Sequence, residues 1–199
     1  MKDLPYLYAL DIETTGLNPW KNHVTTISIY SPQASIVLED TNEKRLLNNI
    51  QEWLCSQPKG LMCSWNGAIF DFPWLQARMK VNQVSCKFIL ELDPTIVPKY
   101  PPLPGFKGGY SVVVVDKDEI QHTHIDTAFS YQAWSEKNGI HWGLKPVAKA
   151  NGIKIIEVDR TKMDKLTIPE RMSYNLSDVV ATWELTYRLL NKKDTNLPT

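Results

Sequence analysis

Two carboxylates, Asp11 and Glu13, close the apolar run Tyr6-Leu-Tyr-Ala-Leu10 with a single residue between them. A run of that composition reads as a buried strand, and a side-chain period of two puts both acids on one face. Side by side they repel each other and lose hydration, and a divalent cation relieves both penalties at once. Taken alone, an Asp-x-Glu is more often a solvated strand end than a metal site. Asp71 follows Phe70 in Asn66-Gly-Ala-Ile-Phe-Asp71-Phe-Pro-Trp-Leu75. Alone it reads as the N-cap of a helix that starts at Phe72. Tyr174 and Asp178 stand four apart and share one face of a late helix. Alone they read as a half-buried tyrosine and a surface acid.

These groups need elements to hold them. After the strand that opens at Tyr6, Thr14 to Pro19 carries turn chemistry. Val24 to Tyr30 and Ser35 to Leu38 then read as strands joined by a short turn, so the first three strands form an antiparallel meander. A helix runs from about Asn42 to Cys55, with Leu46, Leu47, Ile50, Trp53 and Leu54 at helical spacing. Leu61 to Trp65 is a short strand, and a helix begins near Asp71 with Pro73 tolerated in its first turn. Residues 86–118 read as a Pro/Gly-rich loop insertion, except that Val112 to Val115 pairs with Thr123 to Thr127. Helices follow at Phe129 to Lys137, Leu144 to Ala150 and about Pro169 to Asn191. The last has capping-box spacing at Thr167 and Glu170, and Lys192 and Lys193 near its end. The pattern predicts an α/β fold with a mixed central sheet, three antiparallel strands and then parallel ones, flanked by helices.

Composition narrows the classes. A chain of 199 residues fits a single domain. Hydrophobic residues at 43% and charged residues at 22% exclude a disordered chain, and a net charge of +0 argues against a protein that wraps duplex by neutralising phosphates. Cys55, Cys63 and Cys86 form no CxxC pair, which predicts neither a disulfide scaffold nor structural zinc. With no apolar run of spanning length and no secretory leader, the expected setting is cytoplasmic, away from membranes. His122-x-His124 with Asp126 invites a metal reading, but they read better as polar residues of a strand edge. The seven tryptophans read as core.

Order and spacing turn weak signals into a joint one. Asp11-Ile-Glu13-Thr-Thr-Gly-Leu17, Asn66 to Asp71 with Pro73 and Leu75, and Tyr174-Asn-Leu-Ser-Asp178 occur in that order on a strand, a strand-to-helix junction and a late helix. In this the sequence resembles the DEDD (DnaQ-like) 3′→5′ exonuclease superfamily, on the ribonuclease H-like fold. The second motif is most similar to the exonuclease domain of family B DNA polymerases. The histidine branch of the family places a His five residues before the last acid, where this chain has Ser173, so Tyr174 matches the tyrosine branch.

The resemblance implies phosphodiester hydrolysis at the 3′ end of single-stranded or frayed DNA, with two divalent cations, Mg²⁺ or Mn²⁺, about 4 Å apart. Asp11 would bridge the ions, Glu13 and Asp178 would complete one, and Asp71 would support the other. Tyr174 would orient the attacking water. It further implies that backbone groups near Thr14 and Thr15 meet the terminal 3′ hydroxyl, that Leu17 and Phe70 pack on terminal bases, and that Asn66 bonds the strand. Core packing is the equal alternative for Leu17 and Phe70. Lys99, Tyr100, Phe106, Lys107 and Tyr110 in the proline-rich segment could line a strand or dock a partner. RNA remains an alternative substrate, and a silent nucleic-acid-binding or polymerase-docking module is the alternative of another class. A polymerase or a replication or repair protein is the partner the resemblance suggests, and the oligomeric state is left open.

Overall fold

A computed structural model describes residues 6–98, 101–159 and 165–191; Lys99, Tyr100, Lys192 and Lys193 lie outside them. In chain order the elements are β1 (Tyr6–Thr14), β2 (Val24–Tyr30), β3 (Ser35–Glu39), α1 (Glu43–Ser56), β4 (Gly60–Ser64), α2 (Asp71–Val81), β5 (Phe88–Leu92), β6 (Tyr110–Asp116), β7 (Glu119–Asp126), α3 (Thr127–Lys137), α4 (Leu144–Ala150) and α5 (Ile168–Asn191). The strands form one sheet in the order β3-β2-β1-β4-β7-β6-β5. β1, β4 and β7 run parallel at its centre, and the meander β1-β2-β3 is antiparallel as the short turns predicted.

The period of two sorts β1 between two layers. Tyr8, Leu10 and Ile12 point into a core shared with Leu46, Leu47 and Ile50 of α1 and with Phe72, Trp74 and Leu75 of α2. Leu7 and Ala9 point the other way, onto Val179 of α5 and Cys63 of β4. Full burial of side chains such as Leu10 or Phe72 contributes about 1.5–3 kcal/mol each, which sets the register of β1 firmly. Asp11 and Glu13 continue the second series, so they emerge on the α5 side of the sheet.

Helix starts follow local chemistry. Asn42 caps α1 by accepting the N–H of Arg45 at 3.0 Å. At α5 the Thr167 N–H donates to the Glu170 carboxylate at 2.8 Å, the glutamate half of the capping box that the spacing foretold, while the Thr167 hydroxyl donates to the same carboxylate at 2.7 Å. The helix starting beside Asp71 departs from expectation. It begins at Asp71 with Phe70 as cap residue and no side-chain cap bond. The acid is engaged elsewhere.

The segment read as a loop over 86–118 holds a further strand. Phe88 to Leu92 pairs antiparallel with β6, so the far edge of the sheet is an antiparallel β5-β6-β7 unit. Phe88 is buried and Leu90 half-buried in the first core, an alternation hidden in sequence by the prolines that follow. Among the described residues no helix is long and apolar enough to cross a membrane.

Candidate functional site

Pairing between β1 and β4 ends at Ala9 and Cys63, so the last residues of β1 project beyond their parallel neighbour. Into this open corner α5 brings a polar face. Tyr174, Asn175 and Asp178 are buried there, with Asp178 at 5% exposure. One carboxylate oxygen from each of Asp11, Glu13 and Asp178 lies within 4.8 Å of the other two. Three hard oxygen donors at that spacing suit a Mg²⁺- or Mn²⁺-type cation.

Asp71 stands beside this trio. Its Oδ1 accepts the backbone N–H of Ile12, the residue between Asp11 and Glu13, at 3.0 Å. Its carboxyl is raised to about 8, by burial above all and also by the charges of Asp126 and Glu13, against the lowering pull of the Ile12 bond. A divalent cation beside it would reverse that balance and keep it ionised.

Three residues near the acids have no such place in the sequence reading, which makes Asp126 only a polar residue of a strand edge. Asn175 donates its side-chain amide to Asp11 Oδ2, fixing that carboxylate from the helix side. It lies three residues before Asp178, so helical spacing could have flagged it. Lys145, second residue of the short α4, places its ammonium 3.7 Å from Asp178 Oδ2 and 3.9 Å from the centre of the Tyr174 ring. No local pattern marks Lys145. Asp126, at the end of β7, accepts N–H groups from Asn66 and Ala68 at 2.9 Å each and from Ala128 at 3.1 Å. One carboxylate thus caps α3 and ties down the loop that leads to Asp71. Burial lifts it to about 7 while the three N–H groups act in the opposite sense.

A family model described as the RNase H superfamily matches residues 8–190. The chain belongs to that superfamily. Among solved structures it is similar to the family B DNA polymerase from the hyperthermophilic archaeon Pyrobaculum calidifontis, with a TM-score of 0.66 and 19% identity. The match covers 94% of this chain and 24% of the polymerase, so the chain spans about a quarter of that protein's length. No curated protein matches the sequence. The superfamily and the polymerase-like fold agree with the resemblance carried by the three motifs.

In this RNase H superfamily chain the loops around the acids are also ordered by hydrogen bonds. Thr15 exchanges two bonds with His23, its N–H donating to the His23 carbonyl and its hydroxyl accepting the His23 N–H, each at 2.9 Å. The Thr14 hydroxyl donates to the Gly16 carbonyl at 2.8 Å. Leu17 at the tip is 75% exposed, which removes core packing as its explanation. Phe70 is half-buried with its ring centre 6.1 Å from that of Trp74. Asn66 adopts a left-handed backbone at φ 65, and its buried side-chain carbonyl has no donor among the described residues. Gly67 cannot be replaced there, since a Cβ would meet Ser64 Oγ at 2.1 Å and Asp71 Oδ2 at 3.3 Å.

The histidine pair is not at a strand edge. β7 is an interior strand, and each ring has its own partner. His122 bonds the Leu54 carbonyl at 2.9 Å, and His124 bonds Ser64 Oγ at 2.7 Å under the Phe72 ring. Asp126 serves the loop described above. The three residues form no joint ligand set.

Proposed function

We propose that this chain is a 3′→5′ exonuclease of the tyrosine branch, hydrolysing phosphodiester bonds at single-stranded or frayed DNA ends. The convergence of Asp11, Glu13 and Asp178 within 4.8 Å carries the reading. The donor chemistry fits two divalent cations, Mg²⁺ or Mn²⁺, held by these three acids and Asp71. When bound, they would supply Lewis-acid stabilisation of the departing 3′ oxygen and acidify water.

The chain's own residues divide the remaining work. Asn175 aims the Asp11 carboxylate, and the Ile12 N–H aims that of Asp71. Tyr174 orients the attacking water by its hydroxyl. Lys145, against both Asp178 and the Tyr174 ring, holds these two groups in place and adds positive charge where the phosphoryl oxygens gather. Backbone at Thr14 and Thr15 meets the 3′ hydroxyl. Leu17 and Phe70 wedge the terminal base, and Asn66 hydrogen-bonds the strand. A polymerase, replication or repair protein is the natural partner, given the likeness to the exonuclease-bearing polymerase fold.

Matched 5′-labelled DNA and RNA strands, incubated with Mg²⁺, Mn²⁺ or chelator, test the reading. A DNA ladder shortening from the 3′ side, abolished by chelator, is the expected result. RNA cleaved in preference to DNA selects an exoribonuclease, and binding without cleavage in every condition selects a silent module.

A further inference from the structure

Trp20 breaks the expectation that the tryptophans are core. It is 39% exposed, three residues from Leu17 on the turn that follows β1. Its indole is nevertheless held rigidly. Trp20 Nε1 donates to the Pro104 carbonyl at 2.7 Å, its backbone N–H donates to Asn18 Oδ1 at 3.0 Å, and Arg78 grips the preceding Pro19 carbonyl at 3.0 Å. Gly105, at φ +88, lets the 103–106 turn lie on the indole, where a Cβ would come within 3.0 Å of Nε1.

The Phe106 ring lies nearly parallel to the indole, 15° apart with centres 6.4 Å away, and Tyr110 stands 5.9 Å beyond it. The Tyr110 N–H in turn bonds the Ala68 carbonyl at 3.0 Å, inside the loop that carries Asn66 and Phe70. An aromatic row therefore joins the Leu17 turn to the Phe70 loop. Beside it opens a cavity of about 400 Å³ lined by Trp20, Phe106, Gly105, Gln76, Ala77 and Lys80. Gln76 lies five residues along α2 from Asp71, about 7.5 Å of helix rise and about 140° around the axis, so the cavity opens on another face of α2 from that acid. Trp20, on the same turn as Leu17, is what links the cavity to the end of β1.

Flat ring faces fixed in place, an amide and an exposed ammonium around a nucleotide-sized hollow match one ligand chemistry. We propose that this cavity seats an unpaired nucleobase of the strand whose 3′ end lies in the acid pocket, stacked on Trp20 and Phe106, with Lys80 meeting its phosphate. The proposal rests on the nuclease reading for the strand's direction. Parallel aromatic faces recognise any base, so the site adds grip on unpaired strand without sequence preference.

The test compares wild type with Trp20→Ala, Trp20→Phe, Phe106→Ala and Lys80→Ala on two substrates with Mn²⁺. Thymidine 5′-(p-nitrophenyl phosphate) reaches only the acid pocket, whereas a dT10 strand reaches both sites. Binding of dT10 is measured separately by fluorescence anisotropy with Ca²⁺. The expected result is a KM and Kd for dT10 raised about tenfold in Trp20→Ala and Phe106→Ala, restored in Trp20→Phe, with cleavage of the small ester kept within about twofold. Lys80→Ala flattens the salt dependence of dT10 binding. Unchanged dT10 constants overturn the proposal, and so does equal damage to both substrates, which would make the Trp20–Pro104 contact merely structural. Should wild type bind dT10 through Trp20 yet cleave neither substrate, the nuclease reading falls and the base site stands. Failure of wild type to bind dT10 overturns it.

Discussion

Asp71 and Ile12 are joined by one hydrogen bond, carboxylate to backbone N–H at 3.0 Å, across 59 positions of sequence. Ile12 pairs with Ile27 of β2 but lies beyond the last β1–β4 pair, and the start of α2 supplies the acceptor for its N–H. The same bond locks Asp71 against the backbone between Asp11 and Glu13. A structural contact and the placement we propose for catalysis are thus one feature.

Asp71→Asn keeps an acceptor for Ile12 and loses the charge. It should fold with little change in urea midpoint while cleavage falls at least about a hundredfold. Asp71→Ala should also lose about 1–3 kcal/mol of stability, because the buried N–H is left unsatisfied. Denaturation and cleavage assays on the pair separate the two roles.

Asp11→Ala should abolish cleavage, with the far-ultraviolet circular dichroism spectrum retained. Tyr174→Phe should leave an enzyme slower by about 10²-fold, the lower range for losing a positioned proton-handling group. A tyrosine's ordinary pKa near 10 makes it a poor bulk base, so its loss slows the reaction without stopping it. Full activity of purified Asp11→Ala removes the assignment.

Lys145→Ala should act in two opposing ways. Removing an ammonium 3.7 Å from Asp178 should tighten Mn²⁺ binding, seen by calorimetry, because a competing cation is gone. Cleavage should fall at least about tenfold as Tyr174 and Asp178 lose their common neighbour. Weaker metal binding in this variant would contradict the geometry.

Arg78→Ala should be among the most damaging substitutions outside the acids. Arg78 is 3% exposed, donates to Glu43 at 2.9 and 2.7 Å, and holds the Pro19 carbonyl. Removing the guanidinium leaves the largely buried Glu43 with the Val24 N–H and the Asn82 amide, each at 2.8 Å, and should cost up to about 3–5 kcal/mol in urea denaturation. The Leu17–Trp20 turn should loosen with it, raising KM for strands more than it lowers kcat.

His124 gives the stability a pH signature. Burial drives its pKa down to about 3, against an ordinary value of 6.5. Between these values the unfolded chain binds a proton that the folded chain refuses, so stability is full above pH 6.5 and falls as pH drops toward 3. The slope from this residue approaches about 1.4 kcal/mol per pH unit within that window. His124→Gln should flatten it in urea titrations at pH 4 to 7. An unchanged slope would mean His124 is protonated in the fold.

What residue order determined alone was periodic and local. The β1 alternation put Asp11 and Glu13 on one face, the helical period put Tyr174 and Asp178 on one face, and Thr167 with Glu170 marked the start of α5. These follow from backbone geometry, which each segment carries in itself. Other features were decided only when distant segments met: the Asp126 hold on the Asn66 loop, Asn175 on Asp11, Lys145 between Tyr174 and Asp178, and the Trp20 clasp on Pro104. All but the exposed Trp20 clasp satisfy a polar group or charge that packing would otherwise leave buried and alone. Such a partner is chosen by the three-dimensional neighbourhood, because the penalty it relieves does not exist in the unfolded chain.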